Sequence, residues 1–260
     1  MTEAEHRKAE HGQAQRRKVQ AASFGAVATA YDRARPSYPD EAIDWLLPAG
    51  AKRVLDLGAG TGKLTRGLRD RGLEVIAVEP SAGMRDQLAQ VLPEVTVLDG
   101  PAEQIPVADR AVDAVLVAQA WHWVDKARAV PEVARVLVPG GRLGLLWNIR
   151  DERVGWVAEL GRILRGPSYS HSDRDSADPS VGPPFGPVER FEVEWSRRTS
   201  ADEIIDLVSS RSYIITMTPP ERTVVLDRIR HLLGTHPDLA GAAEITLPYV
   251  TRCSRAQLPS

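Results

Sequence analysis

The chain contains a single cysteine, Cys253, in 260 residues. With no second thiol, no intramolecular disulfide framework can form, and a metal site built from several cysteines is excluded. An excess of one charge sign is also lacking, since 33 Lys and Arg stand against 35 Asp and Glu. That balance excludes a strongly basic nucleic-acid binder and leaves room only for a local patch. No stretch offers about 18 uninterrupted apolar residues. The opening segment MTEAEHRKAEHGQAQRRKVQ lacks the apolar centre of a secretory signal. No membrane span is expected, and the expected location is cytoplasmic. The histidines show no metal-ligand spacing, so no metal site is expected.

What is present suits one sizeable core. Apolar side chains make up 43% of the chain, and a chain of this length buries roughly three quarters of its unfolded surface. Residues 1–22 mix Arg7, Lys8, Arg16, Arg17 and Lys18 with Glu3, Glu5 and Glu10 and carry almost no large apolar side chain. Such a segment cannot offset its ordering entropy, so a frayed tail is expected, followed by one domain over 23–260. Contact of the basic triplet at 16–18 with phosphates is the alternative.

From Ala51 onward the pattern alternates strands with helices. Val54–Leu57, Val75–Val78, Val95–Leu98, Val112–Ala118 and Leu143–Trp147 are short apolar runs. Leu64 and Leu68 lie one helical turn apart. Met84, Leu88, Val91 and Leu92 form a stripe behind a capping Ser81, and Val130, Val133, Ala134 and Leu137 form another. Pro131 is expected to start or kink its helix. Near-continuous apolar strands between helices predict a parallel sheet covered on both faces, an α/β fold.

The last third alternates with period two. Phe191, Val193 and Trp195 interleave with charges, as do Ile245, Leu247, Tyr249 and Thr251 with their neighbours, which predicts an antiparallel hairpin closing the sheet. Pro248 argues for a bulge or an edge position in that second strand. Between them, Ser200 with Glu203 and Thr218-Pro219 with Glu221 read as capping boxes of two helices, the second ending at Gly234. Residues 166–187 form a long Gly/Ser/Pro/Asp stretch of the kind that is functional or disordered.

The chemistry concentrates in Val54-Leu55-Asp56-Leu57-Gly58-Ala59-Gly60-Thr61-Gly62, a strand turning through alternate glycines into a helix. Glycines permit positive φ and close approach of a ligand to the backbone; a tight turn with no guest is the bland alternative. The next strand ends at Glu79, whose carboxylate can accept both hydroxyls of a ribose. A dinucleotide fingerprint needs glycine at position 63, where Lys63 stands, and a P-loop needs glycine at Leu57 and Ser or Thr at Leu64. Nothing in this loop has to bind a pyrophosphate, which points to S-adenosylmethionine.

The sequence resembles class I S-adenosylmethionine-dependent methyltransferases, in particular the small-molecule group that includes the trans-aconitate methyltransferase-like proteins. The matching segments are VLDLGAGTG (54–62), VEPSAGM (78–84), GPAEQIP (100–106), VDAVLVAQAWHW (112–123) and RVLVPGGRLGLLWN (135–148), preceded by Tyr31 and the run Arg35-Pro36-Ser37-Tyr38-Pro39. The likeness covers about residues 24–150. It implies a Rossmann-like three-layer sandwich, seven-stranded and mostly parallel in the order 3-2-1-4-5-7-6, with a terminal antiparallel hairpin. Residues 51–150 would form the cofactor-binding core, and 151–260 the substrate-shaping segment and closing strands.

By the same resemblance, Asp56, Gly58, Ala59, Gly60, Thr61 and Gly62 would face the methionine portion of the cofactor. Glu79 would hold the ribose, with Pro80 and Met84 beside it, and Ala102 and Glu103 would flank the adenine. Many relatives carry an Asp before that Ala, whereas this chain has Pro101. Gln119 and Trp121 follow the fourth strand at its carboxyl end, where an open α/β sheet holds its ligand. Trp121 or Trp123 either walls the methionine portion or fills the core. His122 has the right chemistry for a general base, the alternative being a structural hydrogen bond. Tyr31 and Arg35 either close over the cofactor or belong to a solvated loop.

The Asn/Asp-Pro-Pro-aromatic motif of base-amino methylation is absent after the fourth strand, and Cys253 has no motif around it. The expected acceptor is therefore a small molecule, with oxygen of a carboxylate or hydroxyl preferred by resemblance, and no nucleic acid. A protein of the same fold that binds cofactor or a partner without catalysis is the competing reading. A nicotinamide-dependent oxidoreductase is more distant, because of Lys63. Oligomeric state has no signature here.

Overall fold

The computed structural model describes residues 35–165 and 181–260. The expected tail 1–22, Tyr31 and most of the stretch 166–187 lie outside the described residues. The strands are β1 (Arg53–Leu57), β2 (Glu74–Val78), β3 (Thr96–Leu98), β4 (Val112–Ala118), β5 (Leu137–Arg150), β6 (Glu189–Thr199) and β7 (Ile245–Gln257). They form one sheet in the order β3-β2-β1-β4-β5-β7-β6. The first five pair in parallel, and β7 runs antiparallel to both β5 and β6. Both the predicted parallel sheet and the closing hairpin are present.

Consecutive residues of the central strands enter different cores. Leu55, Val115, Val117, Leu143 and Leu145 pack beneath α4 (Lys126–Val136) with Val130 and Val133. Val54, Ala114, Leu116 and Leu146 pack on the other face with Leu46 of α1 (Asp40–Leu46) and Leu64 and Leu68 of α2 (Lys63–Arg69). A strand with two buried faces reads as a continuous apolar run because each side chain, up or down, loses water. The helix α3 (Ala82–Val91) sets Leu88 against Ala77 of β2.

A second core lies over the far end of β7. Ile245, Leu247 and Tyr249 pack against α5 (Gly155–Arg165), α6 (Ala201–Ser209), the short α7 (Ser212–Ile215) and α8 (Pro219–Thr235). The two capping boxes start α6 and α8 as expected: the Glu203 carboxylate accepts the Ser200 N–H, and that of Glu221 accepts the Thr218 N–H. This helical layer faces the sheet's carboxyl ends and supplies one wall of the site.

Three local expectations change. Helix α4 begins at Lys126, where the Asp125 carboxylate accepts the Ala127 N–H at 3.1 Å, so Pro131 lies inside the helix rather than opening it. Ser81 occupies the N-cap of α3 but its side chain makes no cap bond. Pro248 lies in no bulge, and although β7 runs between β5 and β6, its pairing with β5 stops at Tyr249, so Pro248 is paired only with β6. Its carbonyl accepts the Asp151 N–H at 3.0 Å, just beyond Arg150, where β5 ends. In an antiparallel ladder a residue's N–H and C=O face the same neighbour, so the missing donor falls where no strand needs it.

Candidate active site

At the end of β1 the chain turns through the glycine loop. The N–H groups of Gly58 and Ala59 both donate to the Val78 carbonyl, at 2.8 and 3.2 Å, fastening the loop to the end of β2. Gly58 has φ +73°, and a Cβ there would lie 2.9 Å from the Ala120 methyl, so only glycine lets the loop close on the segment after β4. Gly60 has φ +57°, and a Cβ on it would meet none of the described residues within 4 Å. The loop therefore presents bare backbone to open space.

Two carboxylates support it. Asp56 is fully buried beneath the loop, with one oxygen accepting the Thr65 hydroxyl at 2.6 Å and the other without a hydrogen-bond partner among the described residues. Burial is the main cause that pushes its pKa up to about 7; the Thr65 hydrogen bond opposes this and the nearby Glu79 charge adds to it. Glu79 accepts the Gly60 N–H on Oε2 at 2.9 Å and the Ser81 N–H on Oε1 at 2.8 Å. Its carboxyl is also raised, chiefly by burial, against the pull of those two hydrogen bonds.

Above the loop lies a solvent-open cleft. Gly58, Ala59, Gly60, Thr61, Lys63 and Leu64 form its floor. Ala118, Gln119 and Asn148 come from the ends of β4 and β5, Arg35, Pro36 and Tyr38 from the entry segment, and Leu207, Arg211 and Tyr249 from the helical layer and β7. Gln119 holds φ +58°, uncommon for a residue with a side chain, and its Nε2 donates to the Asn148 carbonyl at 3.1 Å. Asn148 in turn donates from Nδ2 to the Ser37 carbonyl at 2.9 Å, tying the entry segment to the cleft.

Of the residues expected to meet a cofactor, Arg35, Gly58, Ala59, Gly60, Thr61 and Gln119 line this cleft together. Gly62 caps α2 in the left-handed region. Asp56 and Glu79 act from below through Thr65 and Gly60. Met84, Ala102 and Trp121 are buried in packing, Trp121 completely. Pro80 is exposed, and Glu103 accepts the Asp125 N–H at 2.6 Å. His122 lies in a 3-10 turn, Trp121–Trp123, beside the ring of Trp123, and is not among the described residues that line the cleft. Lys63, Leu207, Arg211 and Tyr249 were not singled out as site residues. Leu207 and Arg211 belong to the segment expected to shape the substrate pocket, and Tyr249 to the inward face of the last strand.

The bare backbone at Gly60 and the acid at the end of β2 fit an adenosyl ligand. Each Glu79 oxygen accepts one protein N–H and keeps a lone pair for a ribose hydroxyl. The sheet order and this loop define the fold of class I methyltransferases. A family profile described as a methyltransferase domain matches residues 55–145. An uncharacterized methyltransferase of Mycobacterium bovis is 59% identical over 236 residues, covering 91% of this chain and 96% of that protein. A methyltransferase-like protein of Schizosaccharomyces pombe is 35% identical, covering 85% and 90%. The solved structure of a candidate type II methyltransferase from Anaeromyxobacter dehalogenans superposes with a TM-score of 0.66 at 24% identity, over 87% of this chain and 99% of that one. The chain belongs to the class I S-adenosylmethionine-dependent methyltransferases. Among the described residues, no helix is long and apolar enough to cross a membrane.

Proposed function

We propose that this methyltransferase acts on a small molecule, at oxygen of a carboxylate or hydroxyl, within the cleft above the glycine loop. The observation that carries the reading is that one cleft has the bare Gly60 backbone in its floor and the side chains of Leu207, Arg211 and Tyr249 in its opposite wall. A helical layer that walls the carboxyl ends of the sheet bounds the cleft opposite the glycine loop, which suits a metabolite better than a nucleic acid.

S-adenosylmethionine supplies an electrophilic methyl group on a sulfonium. Glu79 would accept the ribose hydroxyls while its contacts to Gly60 and Ser81 keep the loop in register. Arg35 would pair with the methionine carboxylate from the entry segment, and Gln119 would border the reacting end. Walling off the site keeps the acceptor desolvated and aligned, and alignment alone supplies much of the rate for a displacement of this type. His122, in the turn that follows β4, would serve as a general base or hold that turn through a structural hydrogen bond.

Calorimetric titration with S-adenosylhomocysteine, NAD and ATP tests the cofactor assignment, the expected outcome being saturable one-to-one binding of S-adenosylhomocysteine alone. A screen for transfer of labelled methyl to carboxylic acids, hydroxylated metabolites and transfer RNA tests the acceptor class. Label in RNA and in none of the small molecules would overturn the proposal.

A further inference from the structure

The cleft wall opposite the glycine loop carries charge that a methyl donor does not require. Tyr249 is 4% exposed, and its buried hydroxyl has no hydrogen-bond partner among the described residues. Strand register sets its surroundings: Tyr249 lies opposite Arg150 of β5 on one side and Trp195 of β6 on the other. The Trp195 ring stacks on it with centroids 4.9 Å apart and planes 18° apart. The Trp195 indole donates to the Thr251 hydroxyl at 2.8 Å, and that hydroxyl donates to the Asn148 Oδ1 at 2.6 Å, so the stack is anchored to the cleft's own framework.

Among the described residues, the charges acting on the Tyr249 phenol are arginines: Arg150, Arg211, Arg197 and Arg35. Of these, Arg211 and Arg35 line the cleft with it. Arg197 has a counter-charge in Glu203 at 3.8 Å. Arg211, in the turn after α6, has a buried Nε with no hydrogen-bond partner among the described residues. Burial outweighs the arginines and raises the phenol, so it stays protonated and remains a donor.

Resting on the reading of the cleft as a small-molecule methyl-transfer site, we propose that the Arg211 guanidinium and the Tyr249 hydroxyl bind a carboxylate of the acceptor, so that the substrates are anionic acids. A buried donor left unmade costs free energy, and a carboxylate between these two groups would satisfy both. The planar guanidinium fork matches a carboxylate in geometry as well as charge. A neutral alcohol or an amine would leave the Arg211 guanidinium, which has no ion pair among the described residues, without a counter-charge. The side chains that make this subsite come from β7 and the end of α6, separate from the loop that holds the cofactor, so the two functions can be measured apart.

The test uses the full chain saturated with S-adenosylhomocysteine and titrates it with succinate, benzoate and inorganic phosphate, and with succinamide and benzamide as neutral matches. The expected result is binding of at least one carboxylate in preference to its amide. Arg211→Gln should weaken that binding at least tenfold, and Tyr249→Phe, which keeps the stacked ring, about threefold. Affinity for S-adenosylhomocysteine should stay within twofold in both. If Arg211→Gln fails to fold, Tyr249→Phe and Arg211→Lys carry the same comparison. Equal binding of acid and amide, preference for phosphate over every carboxylate, or no carboxylate binding would overturn the proposal and leave the methyltransferase reading intact. A tenfold loss of S-adenosylhomocysteine affinity in Arg211→Gln would reassign Arg211 to the cofactor. Failure of the wild-type chain to bind S-adenosylhomocysteine would remove the underlying reading instead.

Discussion

The Glu79 carboxylate accepts the backbone N–H of Gly60 at 2.9 Å, so the acid that ends β2 holds the loop that ends β1. One side chain thus shapes the floor of the cleft. Neighbouring parallel strands place their carboxyl ends side by side, which brings these two residues together although 19 positions separate them.

Removing that carboxylate should act on binding first. Glu79→Ala is expected to weaken S-adenosylhomocysteine binding at least tenfold, about 1.4 kcal/mol. Calorimetric titration reads the effect directly. Unchanged affinity would detach Glu79 from the ribose and leave it a loop support only.

The two loop glycines should fail differently. Gly58→Ala places a methyl 2.9 Å from Ala120 on a backbone with φ +73°, so it should lower stability by more than the ~1–2 kcal/mol of the backbone strain alone. Gly60→Ala carries similar strain with no clash, yet its methyl would project into the open space of the cleft. Denaturant unfolding should show the larger loss for Gly58→Ala, and titration should show a cofactor-affinity loss for Gly60→Ala out of proportion to its stability. Equal ratios of the two effects in both variants would contradict this geometry.

Asp56 predicts a pH dependence of stability. Its carboxyl is raised from 3.8 to about 7 in the folded chain, chiefly by burial. Between those values the folded protein holds a proton that the unfolded chain has released, so stability falls as pH rises through this window and levels off above it. Asp56→Asn cannot titrate there. The stability of the wild type relative to this variant should therefore decline from about pH 4 to about pH 7. A difference that is flat, or that rises with pH, would mean that Asp56 is ionised in the folded state throughout.

Cys253 should be chemically silent. It is 2% exposed in β7, and burial pushes its thiol up to about 12, far from the thiolate that reacts. Alkylation at pH 8 should proceed only after denaturation, as followed by mass spectrometry. Rapid labelling of the native chain would show that β7 opens readily.

Much of the cofactor half was legible because its signals are local. Val54–Leu57 and Val112–Ala118 are apolar on both faces, and that alone marks covered parallel strands. The glycines at 58, 60 and 62 announce positive φ, which all three adopt. Less legible was the difference between lining the cleft and supporting it. Asp56 belongs to the same motif as Gly58, yet the alternation of strand side chains turns it beneath the loop, onto Thr65. Trp121 and His122 follow β4 at the expected end, but the 3-10 turn buries the tryptophan, and the histidine is not among the described lining residues.

The amino-acid sequence by itself determined the α/β alternation, the glycine turn and the acid at the end of β2, since each rests on residues within one or two turns or strand repeats of one another. Only the tertiary structure decided what faces the cofactor loop across the cleft. Arg35, Asn148, Arg211 and Tyr249 lie in four distant segments and share one cleft. They meet because β7 enters between β5 and β6 with Tyr249 opposite Arg150 and Trp195, and because α6 packs its buried face on that strand. Pairing between strands about a hundred residues apart leaves no periodic trace in either strand, so the charge of that wall emerges only when the sheet is complete.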